Sequence, residues 1–367
     1  MAPNSKLNAK RKAKRESTNV KVAPRKEESA VVATSSIPLD LQQLLLNIFR
    51  NSFAERLSSN IDPLLQEVKG HLYNRDFAAA FGKGEYLEAY AARWSPSRAL
   101  GYVDLFWDLR EHLFSMESTG EEAIEVQAKI GKSCKVVCLG GGAGAEIVAL
   151  GGLQKLLASV TSDEEKANYQ RLEVVATDIA DWTSVVQNLA THITTAPPLS
   201  KFASATARAT NAALVNPENI DVTFLQHDIL TAYSTDISSR LQDARLVTLM
   251  FTLNELYSTS VALTQKFLLD LTATVKPGSL LLVVDSPGSY SSITLNGAEK
   301  KYPMQWLLDH TLLKLANGNQ RERGKEEELR WEKVQEDESR WFRLDNGLEY
   351  PIELENMRMQ LHLYRRL

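Results

Sequence analysis

Lys135-Val136-Val137-Cys138-Leu139-Gly140-Gly141-Gly142-Ala143-Gly144-Ala145-Glu146 (KVVCLGGGAGAE) is the stretch on which the reading of the fold turns. A short apolar run, Lys135–Leu139, has the length of a buried strand and runs straight into glycine. Apolar residues then recur at helical spacing over Ala145–Ala158. Strand, glycine turn and helix therefore follow one another without a spacer. Gly140 stands where a tight turn needs a positive φ. Gly142 and Gly144 carry no Cβ, so the expectation is a main chain that a ligand can approach directly. The first turn of the helix adds unpaired N–H groups with partial positive charge.

Working outward, four more apolar runs have the same length. They are Leu172–Thr177 ending at Asp178, Val222–Gln226 ending near Asp228, Leu246–Phe251 ending before Asn254-Glu255, and Ser279–Val284 ending at Asp285. Strands of five or six residues separated by helical stretches predict βαβ units, a parallel sheet covered on both faces and right-handed crossovers. Leu329–Leu344 and Asn356–Arg366 alternate apolar and polar residues and are expected to complete the sheet, one of them antiparallel. The predicted class is α/β: a Rossmann-like, mostly parallel seven-stranded sheet over residues 121–367. Two insertions, near 194–219 and 287–328, lie where loops commonly shape substrate sites. The first contains Pro197-Pro198; the second contains Tyr290, Tyr302 and Trp306 ahead of a charged segment.

Residues 37–120 carry helical stripes and are expected to form a helical lobe, with Ser95-Pro96-Ser97 interrupting its last helix. Residues 1–36 lack hydrophobic periodicity and read as a disordered basic tail. Within residues 1–26, nine Lys/Arg face Glu16 alone, a net of +8 that leaves −12 on the remainder of a chain whose total is −4. Such a tail is a tether or an address for nuclear import or phosphate contact. Met1–Asn19 has no apolar core, so a secretory signal is not expected, and lysine predominance counts against a mitochondrial one. No apolar run is long enough for a membrane span. Two cysteines, Cys134 and Cys138, and six scattered histidines offer neither a disulfide framework nor metal-ligand spacing.

The loop satisfies two patterns. Gly140, Gly142 and Gly144 spell GxGxG, a form that binds S-adenosylmethionine; Gly140, Gly142 and Ala145 spell GxGxxA, an allowed dinucleotide form. Asp178 lies 34 residues beyond Gly144, further than the roughly 20 of dinucleotide folds, with the polar stretch Ser162–Arg171 taking up the excess. Its carboxylate is placed to accept both ribose hydroxyls. Asp228, after the third strand, suits the adenine amino group.

These residues bring the chain close to a known family. The strand series, the LGGGAG loop and the two acids resemble class I S-adenosylmethionine-dependent methyltransferases. More narrowly, the basic tail, Tyr86-Leu87-Glu88-Ala89-Tyr90, Arg93-Trp94-Ser95-Pro96-Ser97-Arg98-Ala99-Leu100, CLGGGAGAE and Phe251-Thr252-Leu253-Asn254-Glu255-Leu256 resemble fungal 25S ribosomal RNA uridine-N3 methyltransferases. The resemblance runs through nearly the whole chain beyond residue 36. It implies S-adenosylmethionine as cofactor, large-subunit ribosomal RNA or a pre-ribosome as partner, no metal, and a nuclear or nucleolar setting with the cytoplasm as the alternative. The expected cofactor residues are Leu139, Gly140, Gly141, Gly142, Gly144, Asp178, Ile179, Asp228, Ile229 and Arg93.

Methylation of a uridine N3 requires loss of its proton, because the neutral imide nitrogen has no available lone pair. Glu255 is the candidate base. Asn254 is placed to fix a uracil carbonyl, Tyr257 to offer a stacking face and Arg98 to meet RNA. There is no Asn-Pro-Pro-Tyr segment for exocyclic amines, and no cysteine at a later strand end for covalent attack on a pyrimidine. Two other functions stay open from the residues: a dinucleotide-dependent oxidoreductase, and a noncatalytic ribosome-assembly factor that keeps the fold.

Overall fold

The computed structural model describes residues 35–114, 133–160, 171–199, 201–209, 211–231, 235–288, 290–295, 298–316 and 329–367. The basic tail up to residue 34, the boundary placed near residue 120, the Ser162–Arg171 connection as far as residue 170 and the charged segment 317–328 lie outside these residues. Among the described residues, no helix is long and apolar enough to cross a membrane.

In chain order the main elements are α1 (Leu39–Ser52), α2 (Asp62–Tyr73), α3 (Gly84–Asp108), β1 (Ser133–Leu139), α4 (Ala145–Val160), β2 (Arg171–Asp178), α5 (Thr183–Thr194), β3 (Ile220–Gln226), α6 (Thr235–Gln242), β4 (Leu246–Met250), α7 (Leu253–Thr259), α8 (Val261–Thr274), β5 (Leu280–Asp285), β6 (Tyr290–Leu295), β7 (Ala298–Pro303), α9 (Met304–His310), β8 (Trp331–Phe342) and β9 (Met357–Arg366). Seven strands form one sheet in the order β3-β2-β1-β4-β5-β9-β8, with β6 and β7 as a separate hairpin. β1 to β5 pair in parallel, and β9 enters antiparallel between β5 and β8. From β1 the chain winds outward to β2 and β3, then returns to β4 on the other side of β1. Such a reversal opens a crevice at the carboxyl ends of the two central strands, where ligands bind in open α/β sheets.

The β1 residues show why the sheet is buried on both faces. Val136 and Cys138 point into one core, while Val137 and Leu139 point into the other. The first core takes in α1, α3, α4 and α5; the second takes in α6, α8 and α9. The N-terminal helices thus share a core with the sheet: Leu45, Phe49, Leu100 and Val103 pack with Ile147, Val148 and Leu153. Residues Ser35–Leu367 form one compact unit.

The expected break at Ser95-Pro96-Ser97 does not occur. α3 runs uninterrupted through Pro96 for 25 residues. Pro96 has no N–H to give to the carbonyl of Ala92, four residues earlier, and an orphaned buried carbonyl normally ends or kinks a helix. Here the Tyr350 hydroxyl donates to the Ala92 oxygen at 2.9 Å. A phenol from the far end of the chain supplies the hydrogen bond that proline removes, so the helix continues across the crevice.

Candidate active site

The glycine loop closes β1 over its neighbour. Gly140 has φ +79° and donates its N–H to the Thr177 carbonyl at 2.7 Å; Gly144 has φ +78°. The bare main chain expected at Gly142 and Gly144 is filled by protein instead. A Cβ on Gly142 would sit 2.1 Å from Trp182 Cδ1, and one on Gly144 would sit 2.1 Å from Leu189 Cδ1. Trp182 precedes α5 and Leu189 lies within it, so these glycines let α5 pack hard against the loop. Gly141 is closed in by Cys138 and Glu146, and Gly140 by Thr252. Gly140 and Ala143 are the part-exposed residues of the loop. Leu139 offers backbone alone, since its side chain lies in the second core.

Asp178 sits at the carboxyl end of β2, as expected. Its carboxylate accepts the Gly142 N–H at 3.2 Å and the Ala180 N–H at 3.4 Å. Burial raises its pKa to about 6, against the pull of those N–H groups. Ile179 beside it is 60% exposed, an apolar side chain left open next to a carboxylate at the crevice mouth. At the end of β3, Asp228 is half-buried, with one oxygen accepting the Leu230 N–H at 2.9 Å. Ile229 turns into the second core.

The other wall is the end of β4. Phe251 has φ +56°, a left-handed conformation in a non-glycine residue, which costs about 1–3 kcal/mol and collects at functional sites. The kink turns the chain into α7, whose first turn carries Asn254 and Glu255. Asp285, at the end of β5, accepts the Asn254 N–H at 2.9 Å and so caps α7. Asn254 Oδ1 and Glu255 Oε2 are both shielded from solvent and lack hydrogen-bond partners among the described residues. The Arg75 guanidinium stands 3.6 Å from Glu255 Oε2. Tyr257 departs from expectation: it is 2% exposed and packs in the second core, so its ring offers no stacking face.

α3 roofs the crevice. Ser95 Oγ donates to the Ala143 carbonyl at 2.7 Å, tying this helix to the glycine loop. Arg93 and Arg98 are five positions apart, about 140° around the helix, and they serve different surfaces. Arg93 is buried and pairs with Glu355, on the segment before β9, rather than with anything in the crevice. Arg98 reaches inward: it donates to the Tyr90 hydroxyl at 2.8 Å and lies over the Phe251 ring at 5.2 Å. Tyr102 stacks on the same ring at 6.5 Å.

Two carboxyl groups not singled out from the sequence complete the site. Glu146 accepts a hydrogen bond from the Thr248 hydroxyl beneath the loop, and burial raises its pKa to about 7. Asp285 is raised to about 6 by burial, with the nearby Glu255 charge adding to the rise. Asp285 ends a strand just as Asp178 does, and that shared position was the signal available for it. Cys138 is fully buried and its thiol is pushed well up, so it is no nucleophile.

A crevice at the switch point of a mostly parallel sheet, with a glycine loop and a strand-end acid, is a site for a nucleoside ligand. Over residues 49–365 the chain matches the family described as "Putative SAM-dependent methyltransferase", and it belongs to that family. It is 34% identical over 339 residues to the 25S rRNA (uridine(2843)-N(3))-methyltransferase of Saccharomyces cerevisiae, covering 88% of this chain and 85% of that protein. Among solved structures it is similar to a SAM-dependent methyltransferase from Methanosarcina mazei (8% identity, 66% of this chain and 97% of that one, TM-score 0.33). A second is an S-adenosylmethionine-dependent methyltransferase from Clostridium acetobutylicum (9% identity, 71% and 98%, TM-score 0.30).

Family membership decides between the two spellings of the glycine loop: S-adenosylmethionine is the cofactor and the dinucleotide reading falls. The residues present fit it. Asp178 presents a carboxylate where ribose hydroxyls can donate, and Ile179 offers an open apolar face for the nucleoside.

Proposed function

We propose that this enzyme methylates N3 of a uridine in large-subunit ribosomal RNA, in the nucleus or nucleolus. The observation that carries the reading is the pair Asn254 Oδ1 and Glu255 Oε2 at the carboxyl end of β4, neither hydrogen-bonded within the described residues, with only the Arg75 guanidinium 3.6 Å from Oε2. An imide edge presents a donor N–H flanked by two carbonyl oxygens, and an amide beside a carboxylate matches it. The similarity to the yeast uridine-N3 enzyme supports the same substrate, and the basic run between Lys6 and Lys26 supports the compartment.

When bound, S-adenosylmethionine supplies a methyl carbon made electrophilic by its sulfonium. Glu255 takes the N3 proton, leaving the electron pair on nitrogen. Asn254, whose backbone is held by Asp285, orients the ring edge. Arg98, fixed over Phe251, offers guanidinium donors to a uracil oxygen as it gains charge. Tyr257 takes no part in stacking, and Arg93 holds α3 to the C-terminal segment. Asp178 would hold the ribose hydroxyls of the cofactor and Asp228 its adenine amino group.

Mass spectrometry of nucleosides from large-subunit ribosomal RNA tests the proposal. Cells lacking the protein should lose one 3-methyluridine, restored by the wild-type chain and not by Glu255→Gln. An unchanged 3-methyluridine content would refute it.

A further inference from the structure

β8 is the outer strand of the sheet, and its exposed face is not uniform. Trp341, next to its carboxyl end, is 51% exposed. The Arg343 guanidinium lies 4.9 Å from the centre of its ring and the Arg358 guanidinium 5.6 Å. Arg358 is held there by two hydrogen bonds to Ser339 Oγ, at 2.9 and 2.7 Å. Among the described residues no carboxylate stands within ion-pairing distance of either arginine. Neighbouring cations differ: Arg340 pairs with Asp104 and Asp108, Lys333 with Asp309 and Glu336, and Arg365 with Glu332. On a body with net negative charge, two uncompensated guanidinium groups gathered on one open indole stand apart. Charge along an edge strand suffices to block edge-to-edge pairing; pre-positioning two arginines on a single ring is not needed for that.

The register locates this cluster relative to the active site. Asp285, the cap of α7, is paired with Gln360, and Trp341 is paired with Arg358, two residues further toward the same end of the sheet. Gln360 donates to the Ser286 carbonyl at 2.8 Å, so the strands are joined there. Strands lie about 4.8 Å apart and rise about 3.3 Å per residue, which puts the cluster two strands and two residues from Asp285, roughly 12 Å away. The cluster therefore lies toward the same, carboxyl, end of the sheet as Asp285, on the outer side of β5.

We propose that Trp341, Arg343 and Arg358 form a second contact for the substrate RNA, beside the target base: the guanidinium groups meet backbone phosphates, and the indole carries an unpaired base. The inference rests on the reading of RNA as substrate. Phosphate is the ligand chemistry that two unpaired arginines fit, and an exposed aromatic beside them is the arrangement that holds single-stranded nucleic acid.

The test measures binding of a fluorescein-labelled oligouridylate to the full chain by anisotropy over a salt series. Each lost phosphate contact on a single strand lowers the slope of log affinity against log salt by about 0.7. Arg343→Ala/Arg358→Ala is expected to weaken binding and reduce the slope by about 1.4. Arg343→Lys/Arg358→Lys should keep the slope, and Trp341→Ala should weaken binding at unchanged slope. Calorimetric affinity for S-adenosylhomocysteine should be the same in all variants, which shows each is folded. Wild-type affinity and slope in the double alanine variant, with S-adenosylhomocysteine still bound, would overturn the proposal. Absence of methyl transfer to ribosomal RNA by the wild-type chain would instead remove the substrate reading, a separate result read in a separate assay.

Discussion

The continuity of α3 through Pro96 rests on one hydrogen bond, and a double-mutant cycle measures it. Tyr350→Phe deletes the hydroxyl that satisfies the Ala92 carbonyl and leaves everything else in place. Ala92 is fully buried and the phenol is largely so, with burial holding its pKa well above the ordinary value. Leaving a buried acceptor unpaired costs about 1–3 kcal/mol. In a Pro96→Ala background the main-chain N–H of residue 96 returns and bonds Ala92 within the helix, so the phenol becomes redundant there. Removing it should then cost no more than about 0.5 kcal/mol, the level of an ordinary substitution without a special role. The predicted coupling is therefore about 1–2 kcal/mol, read as the difference between two shifts in urea unfolding. Because α3 carries Ser95 to the glycine loop and Arg98 to Phe251, S-adenosylhomocysteine affinity should fall in Tyr350→Phe and recover in the double variant. An equal cost of Tyr350→Phe in both backgrounds would refute the reasoning: the hydroxyl would then be stabilising something other than the proline gap.

The remaining expectations concern the crevice. Asp178→Ala should weaken S-adenosylhomocysteine binding by about 1–3 kcal/mol, the range for a charged hydrogen-bonding partner; unchanged calorimetric affinity would remove Asp178 from the ribose site. Burial lifts the folded-state pKa of Asp178 to about 6, so its carboxylate forms only as pH rises through that value. Affinity should accordingly climb between about pH 5 and 7 with net proton release, and a flat profile would contradict it. Gly142→Ala drives a Cβ into Trp182 and should destabilise the chain by about 1–3 kcal/mol, as overpacking does; wild-type melting and cofactor affinity would show that the loop yields more easily than its packing implies. Glu255→Gln should lower kcat while leaving S-adenosylhomocysteine affinity unchanged; retained turnover would exclude Glu255 as base.

Much of this architecture is legible in residue order. Short apolar runs ending in Asp178, Asp228, Asn254 and Asp285 mark the carboxyl rim of the sheet, because a parallel strand buried on both faces is continuous and apolar until it meets solvent or ligand. The seven strands appear within a few residues of the expected positions. What sequence order hides is long-range partnership. Pro96 looks like a helix break because the donor that spares the helix lies 254 residues away at Tyr350. Gly142 looks like bare ligand-facing backbone because nothing local says that Trp182 returns to fill the space. Arg93 and Arg98 look like a pair flanking Ser95-Pro96, and only an unbroken helix turns one toward Glu355 and the other inward. Tyr257 looks like a stacking ring in the loop after β4, yet α7 begins four residues earlier and rotates it into the core.

The charge distribution reconciles two demands that a single net charge cannot. The cofactor is a cation and the proposed substrate is a polyanion, so a uniformly acidic body would favour the first and repel the second. Separation by position answers this. Glu146 beneath the loop, Asp285 at the end of β5 and Asp178 at the crevice mouth are raised by burial to about 7, 6 and 6. A folded chain that holds these protons loses stability as pH rises from the ordinary carboxylate range through about 7, because the unfolded chain releases them first. A bound sulfonium relieves that cost, so cofactor binding stabilises the fold most on the alkaline side. Arg98 lies over Phe251, and Arg343 and Arg358 gather on Trp341 next to the end of the outer strand. The buried carboxyls and the proposed phosphate contacts therefore belong to different strands of the sheet.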